Sequence, residues 1–228
     1  MGHPYVLLPG AWSGGWQWRS VARLLQAAGH EVFTPTLTGL GERVHLANPS
    51  VDLETHVQDV LSVLTYEEIQ DAILVGFSYS GMVATGVAER AAFRLRHLVY
   101  LDAFVPEDGE SLLDLVGPEV AARFEAIART QGDGWRIPHD PPDAPRRTAQ
   151  PLKTFQGPVA VGNADAAALP RTYIYCTDKS DLGPGGDGIT ASAKRARAAG
   201  WRYRELATSH VAMETMPREL TDLLLEIP

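Results

Sequence analysis

Apolar positions fall along this chain in two rhythms, and their alternation predicts an α/β fold. Short runs with β-branched members read as buried strands: Tyr5-Val6-Leu7-Leu8, Glu31-Val32-Phe33-Thr34, Ile73-Leu74-Val75, Leu98-Val99-Tyr100-Leu101, Arg171 to Thr177, and Trp201 to Leu206. Between them, apolar residues recur at helical spacing. Val21, Leu24, Leu25 and Ala28 share one stripe, as do Val57, Val60, Leu61 and Leu64, with Asp52 placed to cap that helix. Leu220, Leu223, Leu224 and Ile227 form the stripe of a closing helix, and further helices are expected from about Tyr79 to Arg90 and over Ala191 to Ala199. Strands and helices alternating at these spacings make the strands parallel, joined by right-handed crossovers. The expected architecture is α/β: a doubly wound, mostly parallel sheet forming a single domain over residues 1–228.

The rhythm breaks between Glu107 and Leu169. Pro118 opens a helix with Val120, Phe124 and Ile127 on one side, and Asp140-Pro141-Pro142-Asp143-Ala144-Pro145 is irregular. No strand pattern and little core are visible there. Residues 107–169 are therefore read as a small cap inserted between two strands, over the sheet edge where such folds bind ligands.

Composition narrows the classes of function. At 228 residues and 45% hydrophobic content the chain buries a substantial core, and its net charge of −8 disfavours a general nucleic-acid partner. No apolar run approaches the ~18 residues of a membrane span, and the start lacks a basic-then-apolar signal segment, so the expected location is cytoplasmic, with no membrane partner. One cysteine, Cys176, excludes an intrachain disulfide and disfavours a Cys-based metal site; neither metal nor cofactor is expected. A small molecule is the expected partner, and a homodimer is left open.

The chemistry centres on Ile73-Leu74-Val75-Gly76-Phe77-Ser78-Tyr79-Ser80-Gly81. Small residues crowd Ser78 where a strand turns at once into a helix, which strains the turning residue and pushes its side chain outward. A serine hydroxyl needs a base, most often histidine. His210 follows the last strand in the turn Thr208-Ser209-His210, where a doubly wound sheet brings its loops to the edge that carries Ser78. His3, His30, His45, His56, His97 and His139 lack that relation and read as surface or packing residues. Charge developing on a substrate oxygen calls for two backbone N–H donors: one from Tyr79, after the serine, and one from the early loop Pro9-Gly10-Ala11-Trp12, where Ala11 is the candidate.

Taken together, Val6 to Trp12, Thr36-Leu37-Thr38-Gly39-Leu40-Gly41-Glu42-Arg43, the Ser78 turn, Tyr100 to Pro106 and Thr208-Ser209-His210 resemble an α/β-hydrolase. More narrowly, the chain is similar to small bacterial esterases related to plant methyl-ester esterases and hydroxynitrile lyases. It departs from that pattern at Pro9, where a histidine is usual, and at Ser80, where a glycine is usual. In most such hydrolases the acid of the triad follows the strand after the cap, which here offers Asp178 and Asp181. The other position known in the fold is the end of the strand before the cap, where Asp102 stands in an apolar run. A carboxylate buried there needs a partner, and an imidazole would serve. Asp102 is preferred, with Asp178 and then Asp181 as alternatives; Lys179 beside Asp178 suggests a solvated turn.

The resulting expectation is a serine carboxylesterase. Ser78 attacks, His210 carries the proton, Ala11 and Tyr79 hold the oxyanion, and Trp12, Phe104, Trp135 and Phe155 line an apolar pocket. The rival readings are a hydroxynitrile-lyase-like enzyme, for which Gly10 and Lys153 are poor matches to the resemblance, and a binding protein on a hydrolase scaffold.

Overall fold

A computed structural model describes residues 2–141, 144, 146–180, 182 and 185–228. Among them, six strands form one parallel sheet in the order β2-β1-β3-β4-β7-β8. The strands are β1 (Tyr5–Leu8), β2 (Val32–Phe33), β3 (Ala72–Phe77), β4 (Leu95–Leu101), β7 (Arg171–Cys176) and β8 (Arg202–Leu206). The chain crosses from β1 outward to β2, then back past β1 to β3. That reversal places the loops after β1 and β3 side by side at the carboxyl edge, where open sheets of this kind form their crevice.

Alternation along the strands divides the core. Tyr5 and Leu7 of β1, with Ile73 and Val75 of β3, pack against Val21 and Leu25 of α1 (Arg19–Ala27) and Leu220 and Leu224 of α10 (Pro217–Leu225). Val6, Leu8 and Leu74 point to the opposite face. There they meet Val57, Val60 and Leu64 of α2 (Leu53–Tyr66), Met82, Val83 and Val87 of α3 (Ser80–Ala91), and Ile189, Ala193 and Ala196 of α8 (Gly186–Ala198). The stripes read from the sequence are the faces that the helices bury. Asp52 caps α2, accepting from the Thr55 N–H at 2.8 Å.

The inserted segment carries α4 (Leu112–Val116), α5 (Pro118–Gln131), α6 (Lys153–Gln156) and α7 (Ala164–Ala168). It differs from expectation in having strands of its own. The pair β5 (Arg136–Ile137) and β6 (Gln150–Pro151) is antiparallel, with Ile137 opposite Gln150. Two-residue strands, one of them ending in proline, are too short to leave an alternating pattern. Among the described residues no helix is long and apolar enough to cross a membrane.

Candidate active site

The turn after β3 is built by close packing. A Cβ on Gly76 would lie 2.5 Å from the Ser80 carbonyl oxygen, and one on Gly81 would lie 2.1 Å from that of Phe104. Both positions therefore exclude any side chain. Ser78 sits between them at φ 54°, in the left-handed region that costs a non-glycine residue about 1–3 kcal/mol. Three backbone bonds hold it there: Ser78 N–H donates to Leu101 O at 3.2 Å, and Ser78 O accepts from Gly81 N–H at 3.1 Å and from Phe104 N–H at 3.2 Å. The departure at Ser80 has a physical role, because its buried hydroxyl donates to the Pro9 carbonyl and ties the start of α3 to the loop after β1.

Ser78 Oγ lies 2.9 Å from His210 Nε2, and His210 Nδ1 lies 2.7 Å from Asp102 Oδ2. A carboxylate only accepts, so this geometry puts the ring proton on Nδ1 and turns the Nε2 lone pair toward Ser78. Asp102 follows β4 at φ 43° and is 0% exposed. Its other oxygen accepts from the Cys176 N–H at 3.1 Å and from Lys179 Nζ. The Phe77 ring packs on the imidazole with centroids 4.6 Å apart.

Asp178 is not part of this constellation. It is exposed and its Oδ1 accepts from the Ser180 N–H at 3.0 Å; hydrogen bonding from the Ser180 side chain, and then from its N–H, draws the carboxyl below its usual range. Asp181 lies outside the described residues. Lys179 corrects the reading of a solvated turn: its side chain is 20% exposed and folds back across the sheet edge onto Asp102, passing 3.9 Å from the Tyr175 ring centroid.

On the other side of Ser78 the loop after β1 comes very close. A Cβ on Gly10 would meet the Phe77 ring at 2.8 Å and Ser78 Cβ at 3.4 Å. Trp12, at φ 59°, is held by the inserted segment. Its N–H donates to Gln150 Oε1 at 2.9 Å, its Nε1 to Ile137 O at 2.8 Å, and its carbonyl accepts from Thr148 N–H at 3.0 Å. Among the described residues the N–H groups of Ala11 and Tyr79 donate to no protein partner, so both are free for a ligand. The Tyr79 side chain is anchored through buried His56. Nε2–H of that ring serves Thr38 O at 2.9 Å, leaving Nδ1 to accept from the Tyr79 hydroxyl at 2.8 Å. Burial pushes His56 down to about 4 and Tyr79 well above its ordinary value.

These groups open into a cavity of about 490 Å³. Trp12, Phe104 and Phe155 line it, joined by Val120, Phe124 and Ile127 from α5. Trp135 does not. It lies in the turn before β5, its N–H bonded to Gly132 O at 3.1 Å and its ring under the Arg136 guanidinium, while Ile137 reaches the cavity instead. Polar groups also line it, among them Arg147, which ion-pairs with Glu214 at 3.6 Å.

Residues 5–223 match the alpha/beta hydrolase family. The chain belongs to it. A carbendazim hydrolyzing esterase from Nocardioides sp. (strain SG-4G) is 40% identical over 245 residues, which span 96% of this hydrolase and 97% of that protein. An alpha-hydroxynitrile lyase from Arabidopsis thaliana is 33% identical over 107 residues, 46% of this chain and 41% of the lyase. Among solved structures, an extracellular α/β-hydrolase from a Paenibacillus species superposes with a TM-score of 0.84 at 22% identity, covering 99% of this chain and 98% of the other. The expected fold and the expected ester-hydrolysing class are both borne out at this level.

Four residues around the hydrolase's site escaped sequence reasoning. Lys179 looked solvated, Gln150 and Arg147 stood in a segment without pattern, and His139 was read as a surface or packing residue although it lines the cavity edge-on to Trp12, with ring centroids 6.2 Å apart. A charged residue three places beyond the end of a buried strand would have been a usable signal for Lys179 only had its direction been known.

Proposed function

We propose that this ester-hydrolysing α/β-hydrolase works through an acyl-enzyme on Ser78. Its hydroxyl attacks the ester carbonyl while His210 Nε2 takes the proton, and Asp102 holds the ring and offsets the imidazolium charge. The oxyanion forms against the Ala11 and Tyr79 N–H groups. His210 then returns its proton to the leaving alcohol, and a water molecule, deprotonated by the same nitrogen, releases the acid and frees Ser78. The observation that carries this reading is the unbroken contact from Ser78 Oγ through His210 to buried Asp102, at 2.9 and 2.7 Å.

The segment 107–169 is the cap of this site. With α5 and the aromatic rings of Trp12, Phe124 and Phe155 forming the wall, the preferred ester is compact and hydrophobic. The lyase reading lacks support, since Lys153 is exposed on α6 and is not among the lining residues. A cytoplasmic location is part of the proposal on sequence grounds, and cell fractionation tests it.

Hydrolysis of p-nitrophenyl esters of graded acyl length, with carbendazim included because of the 40% identical relative, tests the whole. Ser78→Ala should lose at least about 10⁴-fold in kcat. Retained turnover in that variant overturns the mechanism.

A further inference from the structure

Asp102 has two oxygens, and each faces a different side chain. Oδ2 faces the His210 ring at 2.7 Å, and Oδ1 takes the Lys179 ammonium together with the Cys176 N–H at 3.1 Å. We propose that Lys179 is a positioning residue of the triad: it fixes which Asp102 oxygen meets His210, and its charge keeps the imidazole neutral, and so able to act as a base, further into acid. This rests on His210 being the base of the proposed esterase.

The physical argument starts from burial. Asp102 is 0% exposed, and a carboxylate without a cation in such a place carries a large desolvation cost. When His210 is neutral, as it must be before attack, the ring gives Asp102 a hydrogen bond but no charge. Lys179 brings an ammonium to that carboxylate. It is held for that task by the Tyr175 ring, over which its ammonium lies 3.9 Å from the centroid, and its side chain is only 20% exposed. A permanent cation on the carboxylate reduces what that carboxylate offers to a second one, so protonation of the ring at Nε2 becomes less favourable. The same contact removes a rotational freedom, because Oδ1 cannot leave Lys179 and the Cys176 N–H to compete for the ring.

Lys179 acts among other charges: the cavity that His210 lines also holds Arg123, His139, Asp140 and Arg147. His210 is faced by Asp102 from the end of β4, Ser78 from the turn after β3 and the apolar ring of Phe77; its own carbonyl lies 4.0 Å from Cys176 Sγ. From the inserted segment and α9 (Ala212–Thr215) come Arg147 and Glu214, which pair with each other at 3.6 Å. Around Asp102 stands also the Tyr173 phenol, which donates to Ala103 O at 2.8 Å and which burial keeps neutral by raising it well above its ordinary value. Asp178 precedes Lys179 but points to solvent. Among the described residues Lys179 is the cation bonded to the triad carboxylate.

The test compares Lys179→Met, Lys179→Gln and Lys179→Arg. In Lys179→Met the acid limb of the kcat/KM profile should move up by about one pH unit, equivalent to a tenfold loss on that limb, with a far smaller change on the plateau. Lys179→Arg should restore the wild-type limb. Lys179→Gln keeps a donor to Oδ1 without the charge; it should follow Lys179→Met, and it carries the test should the methionine variant not fold. An unmoved limb in a folded neutral variant, or no rescue by arginine, overturns the proposal, since a residue that merely anchored the loop would lower rate or stability at every pH. Histidine-labelled NMR titration of the His210 ring must show the same displacement without any turnover. Should no ester be hydrolysed while the ring titration moves, the esterase reading falls and takes the catalytic role of Lys179 with it, leaving only its charge coupling to the ring; should esters be hydrolysed with an unmoved ring, this proposal falls alone.

Discussion

Two neighbouring strands of the sheet each end in a turn that carries an aspartate, and the surroundings of the two are opposite. Asp102, after β4, is fully buried at a left-handed φ of 43° and uses both oxygens, one on His210 and one on Lys179 and the Cys176 N–H. Asp178, after β7, is exposed and serves only its own turn through Ser180. The strands are adjacent and parallel, with Leu101 level with Ile174, so both turns open on the same edge. What separates them is depth. Both strands are interior to the sheet, but Asp102 directly follows β4 and lies under His210, whereas the side chain of Asp178, two residues past β7, faces solvent. An acid in this fold is recognised by what it is buried against rather than by which strand it follows.

The largest effect that can break this contrast is on turnover. Asp102→Asn should lower kcat about 10⁴-fold, because an amide no longer fixes the ring tautomer, while Asp178→Asn should stay within about twofold. Steady-state kinetics on one ester decides it, and comparable losses in the two variants would erase the distinction.

Titration sharpens the same contrast between buried and exposed ionisable groups. His56 is held neutral by burial down to about 4, below the value of about 6.5 for an unfolded histidine. The unfolded chain therefore binds the proton first, so its contribution is complete above pH 6.5 and is lost as the pH falls from 6.5 toward 4. Wild-type protein should lose about 2–3 kcal/mol between pH 7 and 4.5 from this source, and His97, also pushed down to about 4 by burial, adds in the same direction. Asp178, whose carboxyl is drawn below its usual range by Ser180, loses its contribution only in stronger acid, below the unfolded carboxylate value. Urea unfolding of wild type and His56→Gln at the two pH values measures the difference; a slope unchanged in the variant refutes the role given to His56.

The smallest effect lies on the far side of Ser78. Gln150→Leu removes the acceptor of the Trp12 N–H and frees a loop held at a left-handed φ beside the oxyanion position. It should cost about tenfold in kcat with KM little changed, because misplaced donors weaken the transition state more than the bound ester. A pure rise in KM would instead make Gln150 part of the pocket wall.

Much of this was legible in the chain, for identifiable reasons. Ser78 announced itself because Gly76, Ser80 and Gly81 leave no room for anything but a tight turn, and His210 because the strand order fixes which loop it joins. Asp102 was readable as a charge in an apolar run. Its second partner was not, because Lys179 and Asp178 are adjacent in sequence and two neighbouring charges look equally solvated until the turn's direction is known. Gln150 was silent for another reason: it works through a side-chain bond spanning 138 residues, which no local pattern encodes. Trp135 misled because aromatic character is a property of the residue, whereas facing a cavity is a property of the turn that carries it.

The grip of Gln150 on Trp12 bears on how such a protein diversifies. Ser78, His210, Asp102 and Ala11 all belong to the sheet body, while Val120, Phe124 and Ile127 of α5 belong to the insertion. Under the proposed mechanism, substitutions along α5 change what the cavity admits without moving the groups assigned to the reaction, and ester preference can drift while they stay in place. Only at β6, inside the insertion, does that freedom end. A replacement of the segment that lacks a carboxamide oxygen at position 150 gives up this hold on the Trp12 N–H, so β6 is tied to the loop beside Ser78 and α5 to the cavity wall.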